Sequence, residues 1–492
     1  MSGDWQFYGR QTELDQLRQI LSRRRWFFLQ LSGRRRIGKT TLIQRVLPAS
    51  NRPFLYVQIP DSAPAGVLSA YADAAETFDV KGEGPPPKSL RALAQTLGGL
   101  MESGYVVALD EFQYFNRKVL SEFTSHLQEV VDALSRRADE VSGGLIVLGS
   151  LHAEMMALLE DRTAPLYART TDELQVGHLD IQSLLELLEA HADQEPERLL
   201  FLWNLFEGVP KFYRDCFEQG VLGASREQLL ESIFFRSSSP LRHEAENWFL
   251  KELRGRYDVV LKYIARYPGC NHGELQNYVG EISTDSKEQV AGYIKNLSEK
   301  FQMIERKLPV FATPKARRGR FYIRDNFLRS WLAALQQPVA ALNFKPVEEL
   351  VGRANERLQE AEGHGFERLV RQLYEERSRK GLGDFSITAQ VQGYWDGGTT
   401  EIDLVALNDE DRVLRFGTCK RSASKLAADV AAFEAHVARF RAAFPRYESW
   451  TTQRVALAPV IPDDVRKALQ ARGLLVQDLA DLCAPWICAN GR

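Results

Sequence analysis

The segment Gly33-Arg34-Arg35-Arg36-Ile37-Gly38-Lys39-Thr40 limits what this chain can fold into more than any other stretch. An apolar run, Trp26-Phe27-Phe28-Leu29-Gln30-Leu31, comes just before it. After it, Thr41-Leu42-Ile43-Gln44-Arg45-Val46-Leu47 carries apolar residues at helical spacing. Strand, glycine loop and helix in that order are the frame in which G-x-x-x-x-G-K-[ST] acts as a phosphate-binding loop. The glycines let backbone N–H groups turn inward around a triphosphate, Lys39 brings a cation to the β- and γ-phosphates, and the helix offers its positive end. The Thr40 hydroxyl is a candidate Mg²⁺ ligand. Gly33, Arg36, Gly38, Lys39, Thr40 and Thr41 are the expected cofactor-binding residues of the loop, with ATP and Mg²⁺ as cofactors.

A second element agrees with the first. Tyr105-Val106-Val107-Ala108-Leu109 is a short apolar run ending in Asp110-Glu111. A carboxylate at the C-terminal edge of a central parallel strand faces the crevice where α/β sheets bind ligands. Asp110 is the expected metal-holding acid, and Glu111 is positioned to orient and deprotonate an attacking water. The competing reading is that Asp-Glu caps a helix beginning near Phe112.

At 492 residues the chain exceeds one ordinary core, and its 44% hydrophobic and 26% charged residues are ordinary for a globular protein. No apolar run approaches a membrane span and no signal peptide is visible, so no membrane partner is expected. The five cysteines lack the spacing of a zinc site, and reduced thiols in a cytoplasm are the simple expectation.

Strand and helix alternate over residues 1–180, predicting a parallel sheet with helices on both faces. The strand Leu145-Ile146-Val147-Leu148-Gly149-Ser150 ends in a polar tip. With an extra strand lying in sequence between it and the loop strand, this suits the P-loop subclass (ASCE type) whose inserted strand carries a residue sensing water or phosphate. Residues 181–250 read as a helical subdomain. Residues 251–335 read as three short helices plus a two-stranded wing, a winged-helix pattern. The wing holds Lys315, Arg317, Arg318 and Arg320, a candidate phosphate-contact surface for a duplex; a solvated loop or an interdomain contact is the alternative. Residues 336–355 read as a linker, and 356–492 as a separate α/β domain with helix, three strands, helix and strand.

The first half resembles the archaeal-type ATPases of the STAND class, relatives of the AAA+ proteins. The resemblance rests on Phe7-Tyr8-Gly9-Arg10-Gln11-Thr12-Glu13-Leu14, the two nucleotide motifs, Gly149-Ser150, Pro165-Leu166-Tyr167-Ala168-Arg169 and Gly208-Val209-Pro210-Lys211-Phe212-Tyr213. It implies that Gly9 and Arg10 lie near the adenine, that Ser150 is a sensor, that Arg169 stabilises charge on the γ-phosphate, and that Pro210 senses the bound nucleotide. A surface ion pair is the rival role for Arg169. The family usually has glycine where this chain has Ala168.

The C-terminal domain resembles the restriction-endonuclease-like domain found in the same family, through Glu401-Ile402-Asp403-Leu404-Val405-Ala406 and Gly417-Thr418-Cys419-Lys420. That likeness implies a nuclease-like site of Glu367, Asp403 and Lys420. Thr418 stands where a carboxylate is expected, so one anion is lost; Glu401, Asp429 or Glu434 could compensate. The implied activity is an ATP-hydrolysing switch or motor acting on DNA rather than RNA, with a nuclease-like domain that binds rather than cuts. A homo-oligomer is compatible with it. The alternatives are a nucleotide-controlled signalling scaffold and an active Mg²⁺ nuclease regulated by ATP.

Overall fold

The computed structural model describes residues 4–80, 85–150, 152–246, 257–282 and 287–489. The 250/251 boundary expected from sequence lies outside those residues. The chain divides into two compact units. One comprises Gly9–His178 with Val209–Lys211, and the other is built from Leu179–Gly208 and from Phe212 onward.

The first unit is a parallel sheet of β1 (Phe27–Ser32), β2 (Phe54–Gln58), β3 (Val106–Asp110), β4 (Gly144–Gly149) and β5 (Asp172–Gln175), in the order β2-β3-β4-β1-β5. The sequence expectation of a parallel α/β sheet is met. β4 is inserted between β1 and β3, with Phe27 opposite Gly144 and Val106 opposite the same glycine. A Cβ on Gly144 would lie 2.2 Å from the Phe27 ring, so the close approach of these strands requires glycine there. β1, β3 and β4 are almost wholly buried, which explains their continuous apolar sequence. Leu90–Glu102 and Glu122–Arg136 pack their apolar stripes on one face of the sheet, with Leu97, Met101, Leu127 and Val131 in a common core with Val107 and Leu145. Ser89 caps the first of these helices by accepting from the Ala92 N–H at 3.1 Å.

In the second unit, helices Tyr257–Arg266, His272–Ile282 and Lys287–Lys295 precede an antiparallel hairpin of β6 (Ile304–Lys307) and β7 (Arg320–Ile323). Val260, Leu261, Leu275, Ile304, Phe321 and Ile323 close a small core of their own. Further on lies a mixed sheet of β8 (Gln392–Trp395), β9 (Glu401–Asn408), β10 (Val413–Cys419), β11 (Thr451–Leu457) and β12 (Leu475–Gln477), ordered β12-β11-β10-β9-β8. β8, β9 and β10 run antiparallel, whereas β10, β11 and β12 run parallel, joined by helices Ala423–Ala443 and Asp463–Ala471.

Residues 336–355, read from sequence as a linker, carry the helix Gln336–Ala340 and the start of a helix running unbroken from Val347 to Arg379. Leu350, Val351, Ala354 and Leu358 are buried along its first turns, which is why it does not behave as a solvated connector. The β6–β7 loop is likewise not free. Val310 N–H donates to Gly393 O at 2.9 Å, and Phe311 stacks on Tyr447 with centroids 5.0 Å apart, so the loop contributes to the core of the C-terminal sheet. No helix among the described residues is long and apolar enough to cross a membrane.

Candidate nucleotide-binding site

The loop after β1 bends through three residues of positive φ: Gly33 at 150°, Arg36 at 64° and Gly38 at 97°. A Cβ on Gly33 would sit 2.6 Å from Val176 O, so both space and conformation call for glycine. Gly38 has open space around it and is needed for its backbone angle alone. The bend ends on helix Lys39–Ala49, whose first-turn N–H groups face the loop.

Lys39 is buried, and its ammonium donates to Gly33 O at 2.7 Å, Arg34 O at 3.0 Å and Ser150 Oγ at 3.2 Å. Burial pushes its pKa down to about 8, against the opposing pull of Asp110 and Glu111. Thr40 Oγ1 donates to Asp110 Oδ2 at 2.6 Å. The Tyr56 hydroxyl donates to the same oxygen at 2.7 Å, and Asp110 Oδ1 accepts from the Glu111 N–H at 2.8 Å. Burial and the adjoining Asp110 carboxylate push the Tyr56 phenol far up, so Tyr56 is a fixed donor.

Glu111 follows β3 with φ 56°, and Gln113 Nε2 donates to Glu111 Oε2. Gln113 Oε1 accepts from Ser150 N–H at 3.4 Å, so one amide side chain spans the ends of β3 and β4. Lys39, Thr40, Asp110, Glu111 and Ser150 thus meet at the C-terminal edge of three neighbouring strands. Two hard oxygen donors, Thr40 and Asp110, stand side by side there, the donor set that suits Mg²⁺. The residues present fit a Mg–nucleotide.

Tyr56 and Gln113 are members of this cluster that sequence reasoning missed. Tyr56 sits on β2 among alternating buried residues, and only the pairing of Gln58 with Asp110 reveals that β2 flanks the acid.

Arg10 has φ 67° and is buried, with its guanidinium donating to Ile37 O at 3.1 Å, His178 O at 3.4 Å and Glu13 Oε1 at 2.9 Å. It ties the preceding helix to the loop, beside Gly9 with φ 63°. Thr41 is exposed on the first turn of the loop helix. Arg169 is engaged elsewhere, forming a two-bond pair with Asp132 at 2.7 and 3.0 Å. Ala168 has φ 55°, the left-handed region that favours glycine. Pro210 opens helix Pro210–Glu218, where a missing N–H costs nothing.

The second expected constellation forms within the other unit. Glu367, on the long helix, feels the Asp403 carboxylate on β9, and burial pushes both upward. Lys420 stands 3.8 Å from Asp403 and 2.9 Å from Asp429. Asp403 Oδ2 accepts from Cys419 N–H at 2.8 Å and from the Thr418 hydroxyl at 3.4 Å. Glu401 turns instead to Arg320, bound through both oxygens at 2.6 and 3.2 Å. Glu434 is paired with Arg454 and Arg472, at 3.3 and 3.1 Å. Among the described residues no three acidic, histidine or cysteine side chains converge as a metal cluster. Of the basic residues of the β6–β7 hairpin, Lys315, Arg317 and Arg318 are exposed, while Arg320 also lies over the Trp395 ring at 4.5 Å.

Comparison with known proteins places the fold. Over 66% of this chain and 96% of its own length, the Walker-type ATPase PABY2304 of Pyrococcus abyssi superposes with a TM-score of 0.51 at 20% identity. The fold is that of a P-loop ATPase. The ORC2 protein of Aeropyrum pernix matches with a TM-score of 0.44 at 17% identity, over 72% of this chain and 95% of that one. Residues 331–430 match the family DUF234, described as archaeal and bacterial proteins of unknown function. An uncharacterized protein of Methanocaldococcus jannaschii, MJECL04, is 26% identical over 417 residues, 83% of this chain and 86% of that one.

Proposed function

We propose that this chain hydrolyses ATP at the loop of residues 33–40 and couples that reaction to binding DNA. The observation that carries the first part is the meeting of Lys39, Thr40, Asp110, Glu111 and Ser150 at one sheet edge. Mg²⁺, when bound, would neutralise phosphate charge and orient the triphosphate. Thr40 and Asp110 would hold it. Lys39 exchanges loop carbonyls for phosphate oxygens, a trade that is favourable because the ammonium is already stripped of most water. Glu111, oriented by Gln113, accepts the proton of the attacking water. Ser150, tied to Lys39 and Gln113, holds the position where the γ-phosphate is read.

The DNA part rests on the three exposed cations of the β6–β7 loop. The C-terminal domain, in this reading, binds nucleic acid without cutting it. Thr418 adds no charge beside Asp403, and Glu401 is committed to Arg320, so a pair of metal ions lacks carboxylates to hold it. ATPase turnover measured with and without single- and double-stranded DNA tests the coupling. Stimulation by DNA is expected; unchanged turnover together with no DNA binding at low salt overturns it. Plasmid left intact with Mg²⁺ and Mn²⁺ is the expected result for the C-terminal domain, and nicking abolished by Asp403→Ala would contradict it.

A further inference from the structure

Gln113 lies outside the glycine loop and the Asp110-Glu111 pair, yet its side chain touches two members of the nucleotide site. It stands on the short helix Phe112–Asn116, just after β3, and is only 3% exposed. Phe112 and Phe115 flank it and are fully buried, and Phe115 stacks on Phe123 with centroids 4.0 Å apart. The backbone under Gln113 is therefore anchored in a close-packed core, and the amide is the part that can turn.

Both ends of that amide are used. Nε2 donates to Glu111 Oε2, and Oε1 accepts from the Ser150 N–H at 3.4 Å. Ser150 Oγ in turn accepts from the Lys39 ammonium at 3.2 Å. One unbroken series of hydrogen bonds thus leads from Lys39, past the end of β4, to the Glu111 carboxylate. Room for the amide depends on Gly149, where a Cβ would press on Met155 and stand 2.9 Å from Gln113 Oε1. Asn116 Nδ2 also donates to Glu154 Oε2, which ties the short helix to helix His152–Leu159 beyond Ser150. A shift at the end of β4 therefore reaches Gln113 through the amide and through this tie.

Glu111 has φ 56°, a backbone that a glutamate keeps only where its surroundings hold it. Gln113 holds one carboxylate oxygen, and among the described residues no hydrogen bond holds the other, Oε1. Lys39 is meanwhile folded back on Gly33 O and Arg34 O. A seated γ-phosphate would draw the ammonium off Ser150, whose hydroxyl then turns from acceptor to donor toward a phosphate oxygen. That reversal reorients the end of β4 and with it the N–H bound to Gln113.

We propose that Gln113 is a positioning residue that makes the aim of Glu111 depend on a γ-phosphate seated at Ser150, so that nucleotide binding alone does not align the base. The proposal rests on the ATPase reading above and assigns the regulation of that same site. Its test is a double-substitution cycle on the full chain, reading kcat, KM and ADP affinity. Gln113→Met keeps the side-chain length and removes donor and acceptor together, whereas Gln113→Glu keeps an acceptor for Ser150 and loses the donor to Glu111. Each should lower kcat at least about tenfold and leave KM and ADP affinity within about twofold. Ser150→Ala removes the hydroxyl and keeps the N–H. It should lower kcat at least about fivefold in the native background and by less than about twofold beside Gln113→Met, because the two then act on one step. If either Gln113 variant fails to fold, Gln113→Asn, an amide one methylene too short to span both ends, takes its place. Native kcat in Gln113→Met, a rise in KM alone, or losses that multiply in the double variant would each overturn the coupling while leaving the ATPase reading intact. A native chain that turns over no ATP would remove that reading and the coupling with it.

Discussion

Thr40 donates its hydroxyl hydrogen to Asp110 across 2.6 Å, joining the helix after the glycine loop to the end of β3 over a separation of 70 residues. The bond is possible because β4 slots between β1 and β3, setting the loop and the acid on the same edge of the sheet. Tyr56 reaches the same carboxylate oxygen from β2, so the acid is oriented from both sides.

Glu111 makes its side-chain bond to Gln113 and, in the proposed reaction, accepts the proton of the attacking water. Glu111→Gln should lower ATP turnover by roughly 10²–10⁴-fold, the usual contribution of a general base. Nucleotide affinity should change little. Steady-state rates paired with equilibrium binding check this, and an unchanged rate would remove Glu111 from the chemistry.

Lys39 is held near a pKa of about 8 by burial, so its charge is partly lost just above neutrality in the free protein. Protonated Lys39 attracts phosphate and neutral Lys39 does not. Affinity for Mg-ATP should therefore be steady below that pH and fall as pH rises through it, approaching about tenfold per pH unit at the alkaline end. Binding titrations from pH 7 to pH 10 measure it. A flat profile would mean that Lys39 keeps its charge throughout.

Glu367 and Asp403 have folded-state pKa values raised above their unfolded values, by burial first. The folded state then binds more protons than the unfolded one as pH climbs above the ordinary carboxylate range. Stability conferred by the protonated forms is present at low pH and is lost as pH rises through the folded-state values. Glu367→Gln should raise the melting temperature at pH 8 by about 2–4 °C, equivalent to roughly 1 kcal/mol, and change it little at pH 4.5. Thermal scans at both pH values decide; equal shifts would contradict the charge argument.

Much of this was readable from residue order. Continuous apolar strands, the glycine loop and the acid at the end of β3 each carry a local signature, and the parallel sheet follows from their alternation. What sequence did not convey depends on pairings between distant segments. Tyr56 is indistinguishable from a packing aromatic until β2 is seen beside β3. Arg320 looks like its exposed neighbours Lys315, Arg317 and Arg318 until Glu401 and Trp395 are found beneath it. Residues 336–355 look polar enough for a linker because the long helix buries only one stripe.

The Arg320–Glu401 pair separates the basic residues of the β6–β7 loop into two kinds. Arg317→Ala and Arg318→Ala should each weaken DNA binding and reduce the slope of log affinity against log salt by about 0.9 for every DNA phosphate no longer neutralised. Arg320→Ala should leave that slope unchanged and instead lower stability, because Glu401 loses its partner. Fluorescence anisotropy at several salt concentrations distinguishes the two patterns.

The central claim is a nucleotide site built on Lys39 and Thr40. Its most direct test is equilibrium binding of ATP to the purified full chain at millimolar Mg²⁺, beside a folded Lys39→Ala variant. Saturable binding to the native chain, weakened at least about a hundredfold by the substitution, is the predicted result. A well-folded native protein that retains no ATP, or one that binds it equally well without Lys39, would contradict the account.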